Sequence, residues 1–214
     1  MADKEMHTHD PATSLPVKAD RTVDAPSVVS AYDWGALGHV VDVGGGDGTL
    51  LIALLNEYPA LSGTVVDLPP TADAARKRLD AAGLAERAGA VAGDFLGELP
   101  EGAEGYLLSS VLHEWGDDDA RAILRNCASA AGEDGAVFVI EPVPDGAVPS
   151  GVASVSGAAV VDGAVGAGAW DGASPPSSSD RGVAELSALA ESAGLVVAAV
   201  HTAGTVAIVE LATG

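Results

Sequence analysis

The chain has 214 residues and carries 31 acidic side chains against 10 basic ones, a formal net charge of −21 at neutral pH. This length suits one domain, or one domain with short additions, and a hydrophobic content of 48% is enough for a sizeable core. So acidic a surface repels phosphate backbones and anionic headgroups. Neither nucleic acid nor a membrane surface is therefore expected as a partner.

The cysteine content and the hydropathy pattern bear on where the chain works. Cys127 is the only cysteine, so an intrachain disulfide is excluded. The first 16 residues are polar and lack the apolar run of a signal peptide. No stretch approaches the roughly 18 continuous apolar residues of a membrane span. These features predict a cytoplasmic protein.

The first 26 residues mix charge, proline and threonine without any period, which predicts a flexible N-terminal segment. His7 and His9, followed by Asp10, offer too few ligands on such a segment for a stable metal site. No metal site is therefore predicted there. The core domain is expected to begin at residue 27 and to run to residue 214.

Short apolar runs alternate with helical patterns through the first part of this core. Such alternation predicts a parallel sheet with helices on both faces. The expected strands cover residues 39–43, 63–67, 88–92, 105–111 and 136–141. The expected helices cover residues 27–34, 48–58, 70–82 and 117–131.

The end of the chain has a different pattern. A helix is expected over residues 182–193, and then two apolar runs, 195–201 and 206–211, are joined by Thr-Ala-Gly-Thr. Strands joined this closely must be antiparallel. The prediction is an α/β, Rossmann-like, seven-stranded, mostly parallel sheet with a C-terminal antiparallel hairpin. Residues 144–180, rich in Gly, Ala, Ser, Val and Pro, are expected to form a long loop or a partly disordered lid.

The strongest motif is the glycine loop, Val-Val-Asp-Val-Gly-Gly-Gly-Asp-Gly at residues 40–48, between a strand and a helix. Glycines let the backbone approach a ligand, and the free N–H groups of the following helix favour an anion or carboxylate. Gly44, Gly46 and Gly48 have the spacing G-x-G-x-G, and Thr49 replaces the last glycine of the dinucleotide fingerprint. This disfavours a nicotinamide dehydrogenase. Asp42 is expected to hydrogen-bond either the loop backbone or an amino group of the ligand.

Two further carboxylates follow the next strands. Asp67 ends the second strand, about 20 residues after the loop, where a carboxylate can bind ribose hydroxyls. Asp94 follows the third strand, beside the expected adenine position. All of these groups belong to the carboxyl edge of the sheet, where open α/β sheets bind their ligands.

Together with Val-Val-Asp-Leu-Pro at 65–69, Gly-Asp-Phe at 93–95 and Val-Leu-His-Glu-Trp at 111–115, the loop resembles the S-adenosylmethionine-dependent O-methyltransferases of plant phenolic and actinobacterial antibiotic pathways. The resemblance covers residues 32–144 and resumes over 180–211. It implies that the glycine loop holds the methionine part of S-adenosylmethionine and that Asp67 binds the ribose. It further implies that Asp94 and Phe95 flank the adenine. Two more residues are implied in cofactor binding, Leu68 and Ser109.

The same resemblance implies that His113 is the catalytic base. Histidine suits this role because its imidazole ordinarily titrates near pH 6.5 and can accept a hydroxyl proton near neutrality. Two acidic residues would orient it, Glu141 at the end of the fifth strand and Asp180 before the last helix. The neighbouring acids of residues 117–119 are better explained as helix N-terminal residues than as metal ligands.

Two parts of the resembling family are missing. Its full-length members carry an N-terminal dimerisation domain, and residues 151–179 do not resemble the family's acceptor-lining segment. Two hypotheses follow: an O-methyltransferase acting on a hydroxyl of a small aromatic natural product, or a cofactor-binding remnant or partner subunit without activity of its own. Because apolar surface that the absent domain would cover stays exposed, a homodimer is expected.

Overall fold

The computed structural model describes residues 23–142, 181–203 and 205–213. In these residues one seven-stranded sheet forms the centre of the molecule. The strands are β1 (His39–Val43), β2 (Ser62–Asp67), β3 (Ala88–Ala92), β4 (Gly105–Ser109), β5 (Ala136–Pro142), β6 (Leu195–Ala203) and β7 (Val206–Thr213).

The strand order is β3-β2-β1-β4-β5-β7-β6. The first five strands pair with one another in parallel, and β7 pairs antiparallel with both β5 and β6. The predicted fold, with its C-terminal antiparallel hairpin, is therefore confirmed. The last strand lies inside the sheet, between β5 and β6, so that Ala207 pairs with Glu141 at the end of β5.

Helices cover both faces of this sheet, as alternating elements predict. They are α1 (Ala25–Ala31), α2 (Thr49–Glu57), α3 (Pro69–Ala81), α4 (Asp117–Ala131) and α5 (Val183–Ser192). The first helix starts at Ala25, within the range expected to be flexible, because the Asp24 side chain caps it by accepting from the Ser27 N–H at 3.0 Å. The rest of the expected flexible segment and the expected lid lie outside the described residues.

Each face has its own apolar core. On one face α1, α2 and α3 pack against the sheet through residues such as Val28, Leu54 and Leu79. On the other face α4 and α5 pack through residues such as Ile123 and Leu189. Strand side chains alternate between the two cores, as the period of two along a strand requires. Because helices cover both faces of the sheet, a ligand site is expected at the carboxyl edge of the parallel strands.

The fourth strand ends earlier than predicted. The apolar run continues to Val111, but β4 ends at Ser109, because Ser110 adopts a left-handed backbone with φ of 55°. A one-turn 3-10 helix (Leu112–Glu114) follows, and the buried Leu112 side chain joins the core beneath it. The chain thus leaves the sheet two residues before the apolar pattern stops.

In the parts of the chain that the structure describes, no helix is long and apolar enough to cross a bilayer.

Candidate active site

The glycine loop joins the end of β1 to the start of α2. Gly44, Gly46 and Gly48 have φ values of 69°, 60° and 79°, the left-handed region that costs a side-chain-bearing residue about 1–2 kcal/mol. A Cβ on Gly46 would meet nothing within 4 Å. The loop is therefore held in a conformation that suits glycine, and it leaves open space above Gly46 where a ligand could approach the backbone.

Asp67 connects the end of β2 to this loop. One carboxylate oxygen accepts the Gly46 N–H at 2.9 Å, and the other accepts the N–H of Leu68 at 2.7 Å. Leu68 itself is 55% exposed at this edge. The structure thus places Asp67 beside the loop, as the spacing predicted, with Leu68 next to it, and shows that Asp67 also fixes the loop backbone.

Asp42 lies directly beneath the loop. A Cβ on Gly45 would come within 2.5 Å of the Asp42 Cγ. Neither carboxylate oxygen has a hydrogen-bond partner among the described residues, so the expected bond to the loop backbone is wrong. Burial, and secondarily the charge of Asp67, raise the pKa of Asp42 to about 7. A buried carboxyl without a partner is costly, which makes Asp42 a candidate for a cationic ligand group.

Asp94 and Phe95 follow β3 at the same edge. Asp94 is exposed and accepts the N–H of Leu96 at 3.0 Å, which forms a local turn. Phe95 is partly buried, and its ring meets that of Trp115 edge-on at a centroid distance of 5.7 Å. Phe95 therefore links the β3 side of the site to the turn that carries His113.

The turn after β4 brings His113 to Glu141 at the end of β5. The His113 Nδ1 lies 3.0 Å from Glu141 Oε2, and the His113 backbone N–H donates to Oε1 at 3.3 Å. Val111 packs on the glycine loop, because a Cβ on Gly44 would come within 2.9 Å of its Cγ2 atom. Ser109, the last residue of β4, is half-buried beside this turn. The turn that carries the His113 imidazole thus packs against the loop through Val111.

The burial of this pair defines its chemistry. The side chain of Glu141 is 3% exposed and that of His113 is 16% exposed. Burial raises the pKa of Glu141, and the contact with His113 opposes that shift. An ionised carboxylate can only accept, so the His113 tautomer that pairs with ionised Glu141 carries its proton on Nδ1 and leaves Nε2 able to take a proton from a ligand.

Two site residues were not singled out from the sequence. Ser110 carries the left-handed backbone before the His113 turn, and nothing in its residue type signals this. Arg181 donates to the carbonyls of Leu112 and Trp115 and to the carboxylate of Asp117. Its only sequence signal is its position next to Asp180, which itself lies outside the described residues.

The acids at residues 117–119 occupy the first turn of α4, as predicted. Asp117 pairs with Arg181, and Asp118 pairs with Arg121 at 2.7 Å. These contacts and the helix dipole account for the acids without a metal. Over the described ranges, no group of three or more His, Cys, Asp or Glu side chains is arranged to hold a metal ion.

The family model of the O-methyltransferase domain matches residues 6–170, well over half of the chain. The chain belongs to this O-methyltransferase domain family. The match extends on both sides of the range 32–144 that carries the sequence motifs.

The chain is also similar to individual relatives, one of them named an O-methyltransferase and one a hydroxylase. The chain is 46% identical over 189 residues to the 2,7-dihydroxy-5-methyl-1-naphthoate 7-O-methyltransferase of Streptomyces carzinostaticus, covering 88% of this chain and 52% of that protein. It is 45% identical over 122 residues to the aclacinomycin 10-hydroxylase of Streptomyces purpurascens, covering 57% of this chain and 32% of that protein. The chain thus spans about half the length, or less, of these relatives.

The chain is also similar to a solved O-methyltransferase structure. The O-methyltransferase NcsB1 from neocarzinostatin biosynthesis, in complex with S-adenosylmethionine and 2-hydroxy-5-methyl naphthoic acid, superposes with a TM-score of 0.70 at 45% identity. The superposition covers 87% of this chain and 52% of that protein.

Proposed function

We propose that the chain binds S-adenosylmethionine at the carboxyl edge of its sheet, and that the protein it belongs to methylates a hydroxyl group of a small aromatic natural product. The observation that carries this proposal is the contact of His113 with Glu141 on a turn that packs against the glycine loop. A proton acceptor and a ligand-binding loop are thereby brought side by side.

The residues at this edge fit the cofactor. S-adenosylmethionine has a carboxylate and an ammonium on its methionine part, and a ribose and an adenine on the other part. The positive end of the α2 dipole favours a carboxylate, although the Thr49 N–H at its start already donates to Asp47 at 3.2 Å. The unpartnered carboxyl of Asp42 suits the ammonium, and Asp67 suits the ribose hydroxyls. The exposed Leu68, with Asp94 and Phe95, offers a partly apolar surface to the adenine.

The proposed reaction gives each of the two central side chains one task. S-adenosylmethionine supplies a methyl group on a positively charged sulfur. His113 accepts the proton of the acceptor hydroxyl on Nε2, and the freed oxygen electron pair forms the new bond to the methyl carbon. The electrons of the broken C–S bond stay on the departing thioether, S-adenosylhomocysteine. Glu141 holds the Nδ1 proton and stabilises the imidazolium that forms.

A second candidate function is cofactor binding without methyl transfer by this chain. It is favoured by the similarity to a relative that is named a hydroxylase, and by the chain spanning about half the length of its relatives. In that case His113 and Glu141 would be retained beside a bound cofactor but would not turn over a hydroxylated acceptor.

We also propose that the protein is a cytoplasmic homodimer. Its lone cysteine, Cys127, is a buried free thiol, which suits a reducing compartment. Among the described residues outside the proposed cofactor site, three large apolar side chains are at least 38% exposed, and burying them between two copies would be favourable. They are Val91, Leu96 and Val196.

The first experiment is a calorimetric titration of the purified chain with S-adenosylmethionine and S-adenosylhomocysteine, followed by a methyl-transfer assay on hydroxylated naphthoic acids. Micromolar binding with methyl transfer supports the proposal. Binding without transfer by the chain favours the second candidate. Absence of binding of either cofactor contradicts both.

The role of His113 is tested by His113→Ala. Removing a general base costs about 10²–10⁴-fold in rate, whereas S-adenosylmethionine affinity should stay within a few-fold because the loop and Asp67 are untouched. His39→Ala is the matched control, because His39 hydrogen-bonds Ser62 and Thr64 and sits at the opposite edge of the sheet. Retained turnover in His113→Ala would remove it as the base.

A further inference from the structure

Arg181 lies outside the turn that carries His113 and donates hydrogen bonds to the backbone of that turn. One terminal guanidinium nitrogen donates to the carbonyl of Leu112 at 2.7 Å, and the other donates to the carbonyl of Trp115 at 2.8 Å. These two carbonyls lie on either side of His113 and Glu114 in the chain. A single side chain therefore holds both ends of the segment that contains the proposed base.

The same guanidinium also reaches the residue that begins α4. It donates to Asp117 Oδ1 from a terminal nitrogen at 2.7 Å and from Nε at 3.2 Å. The Arg181 side chain is 10% exposed, whereas that of Asp117 is 70% exposed. Four of the five guanidinium N–H groups are thus directed at residues 112–117. A lysine, with one compact ammonium, cannot reproduce this planar fork.

Contacts from several elements fix this turn. Its backbone bonds include Glu114 N–H to Val111 at 3.2 Å and Trp115 N–H to Leu112 at 3.1 Å, and the Ser110 N–H donates to Ile140 of β5 at 2.9 Å. It begins after Ser110, whose left-handed backbone is unfavourable for a residue with a side chain. Glu141 restrains the turn from the end of β5, and Arg181 restrains it from the start of α5.

We propose that Arg181 is a positioning residue, which fixes the His113 imidazole for proton transfer by clamping the carbonyls of Leu112 and Trp115. This inference rests on the proposed function for its consequence in catalysis. Its structural content, a restraint on the His113 ring, is independent of methyl transfer.

The test compares Arg181→Met and Arg181→Lys with Arg125→Met. Arg125 is the matched control, because it also joins α4 to α5, through the carbonyl of Ser192 at 3.2 Å, but at the far end of α5. Misplacing a catalytic group by about 1 Å costs on the order of 100-fold. Both Arg181 variants should therefore lose about 10- to 100-fold in kcat, with KM and S-adenosylmethionine affinity changed less than about threefold. Arg125→Met should keep its kcat.

A second readout needs no activity. The ring ¹⁵N shifts of His113 report its tautomer when the ring is neutral, and the wild-type chain and Arg125→Met should then show the form protonated on Nδ1. Arg181→Met and Arg181→Lys should show shifts averaged between tautomers, because the ring is no longer held against Glu141. If Arg181→Met does not fold, Arg181→Lys carries the test, since it keeps a charge beside Asp117.

Unchanged His113 shifts in a folded Arg181 variant would overturn the proposal, as would a kcat loss no larger than that of Arg125→Met. If the wild-type chain neither binds S-adenosylmethionine nor transfers a methyl group, the proposed function fails, and the ring shifts still decide whether Arg181 positions His113.

Discussion

Asp67 has two tasks in the proposed site, because its carboxylate accepts the Gly46 N–H and is also proposed to bind the ribose hydroxyls. Losing a charge-assisted hydrogen bond costs about 1.5–3 kcal/mol. We therefore expect Asp67→Ala to weaken S-adenosylmethionine binding by roughly 10- to 150-fold in a calorimetric titration. Asp73→Ala is the control, because Asp73 is an exposed acid of α3 that pairs with Arg76. Equal affinities of the two variants would contradict the assignment of Asp67.

Asp42 makes the stability of the ligand-free protein depend on pH. Burial first, and the charge of Asp67 second, raise its pKa to about 7, whereas an unfolded aspartate titrates near about 4. Between these values the folded protein keeps a proton that the unfolded chain has released. The contribution of Asp42 to the free energy of unfolding therefore falls as the pH rises through this window.

Asp42→Asn removes this titration while nearly keeping the shape of the side chain. The variant and the wild type should have similar stability near the bottom of the window, and the variant should become more stable by a few kcal/mol above pH of about 7. Urea unfolding of both proteins across the pH range measures the difference, so that the titration of the other carboxylates cancels. Parallel curves over the whole window would show that Asp42 does not carry this proton.

Single residues of the site differ in how far the sequence could predict them. His113, Glu141, Asp67 and the three glycines follow strand ends in a recognisable order, so their meeting at one edge is dictated by parallel topology. The orphaned carboxyl of Asp42 depends on the path of the loop above it. The contacts of Arg181 join residues about 70 positions apart in the chain, which no local spacing encodes.

At the scale of an element, a glycine of the glycine loop can be required for two different reasons. Its left-handed backbone can favour glycine, and a ligand can need the space that a side chain would fill. Gly46 and Gly83 both have a left-handed backbone, with φ of 60° and 74°, and a Cβ on either would meet nothing within 4 Å. Alanine at either position should cost a similar amount of stability, about 1–2 kcal/mol. The two glycines differ in place, because Gly83 follows α3 and Gly46 faces the open space of the proposed cofactor site.

Gly46→Ala should therefore weaken S-adenosylmethionine binding by about tenfold or more, since an added methyl group in a filled space typically costs 1–3 kcal/mol. Gly83→Ala should bind the cofactor like the wild type. Thermal unfolding and calorimetry of both variants make the comparison. If Gly46→Ala bound the cofactor normally, the open space above the loop would not be where the cofactor lies.

The sequence predicts the secondary-structure elements more fully than it predicts which elements lie next to each other in the sheet. The C-terminal hairpin follows from two apolar runs and a short turn, and it is antiparallel as that turn requires. The position of β7 between β5 and β6 depends on which strands pair in the folded sheet. The spacing of the apolar runs along the chain does not predict this pairing. Likewise, β4 stops at Ser109 although the apolar pattern continues, because the backbone of Ser110 turns away from the sheet.

At the scale of the whole molecule, the net charge of −21 opposes the proposed homodimer. Two copies with this charge repel each other over a distance set by the ionic strength, about 30 Å at 0.01 M and about 3 Å at 1 M. Apolar contacts, such as those available to Val91 and Val196, are not weakened by screening. Self-association should therefore strengthen as sodium chloride is added.

Sedimentation velocity over a range of protein concentrations, at about 0.02 M and about 0.5 M salt, measures this dependence. We expect the dimer dissociation constant to fall with salt, and the melting temperature of the monomer to rise, because screening relieves repulsion within each chain as well. A monomer mass at every concentration and salt level would exclude the homodimer. A dimer that dissociates as salt is added would instead mean that ion pairs hold it, and the exposed apolar side chains would then need another explanation.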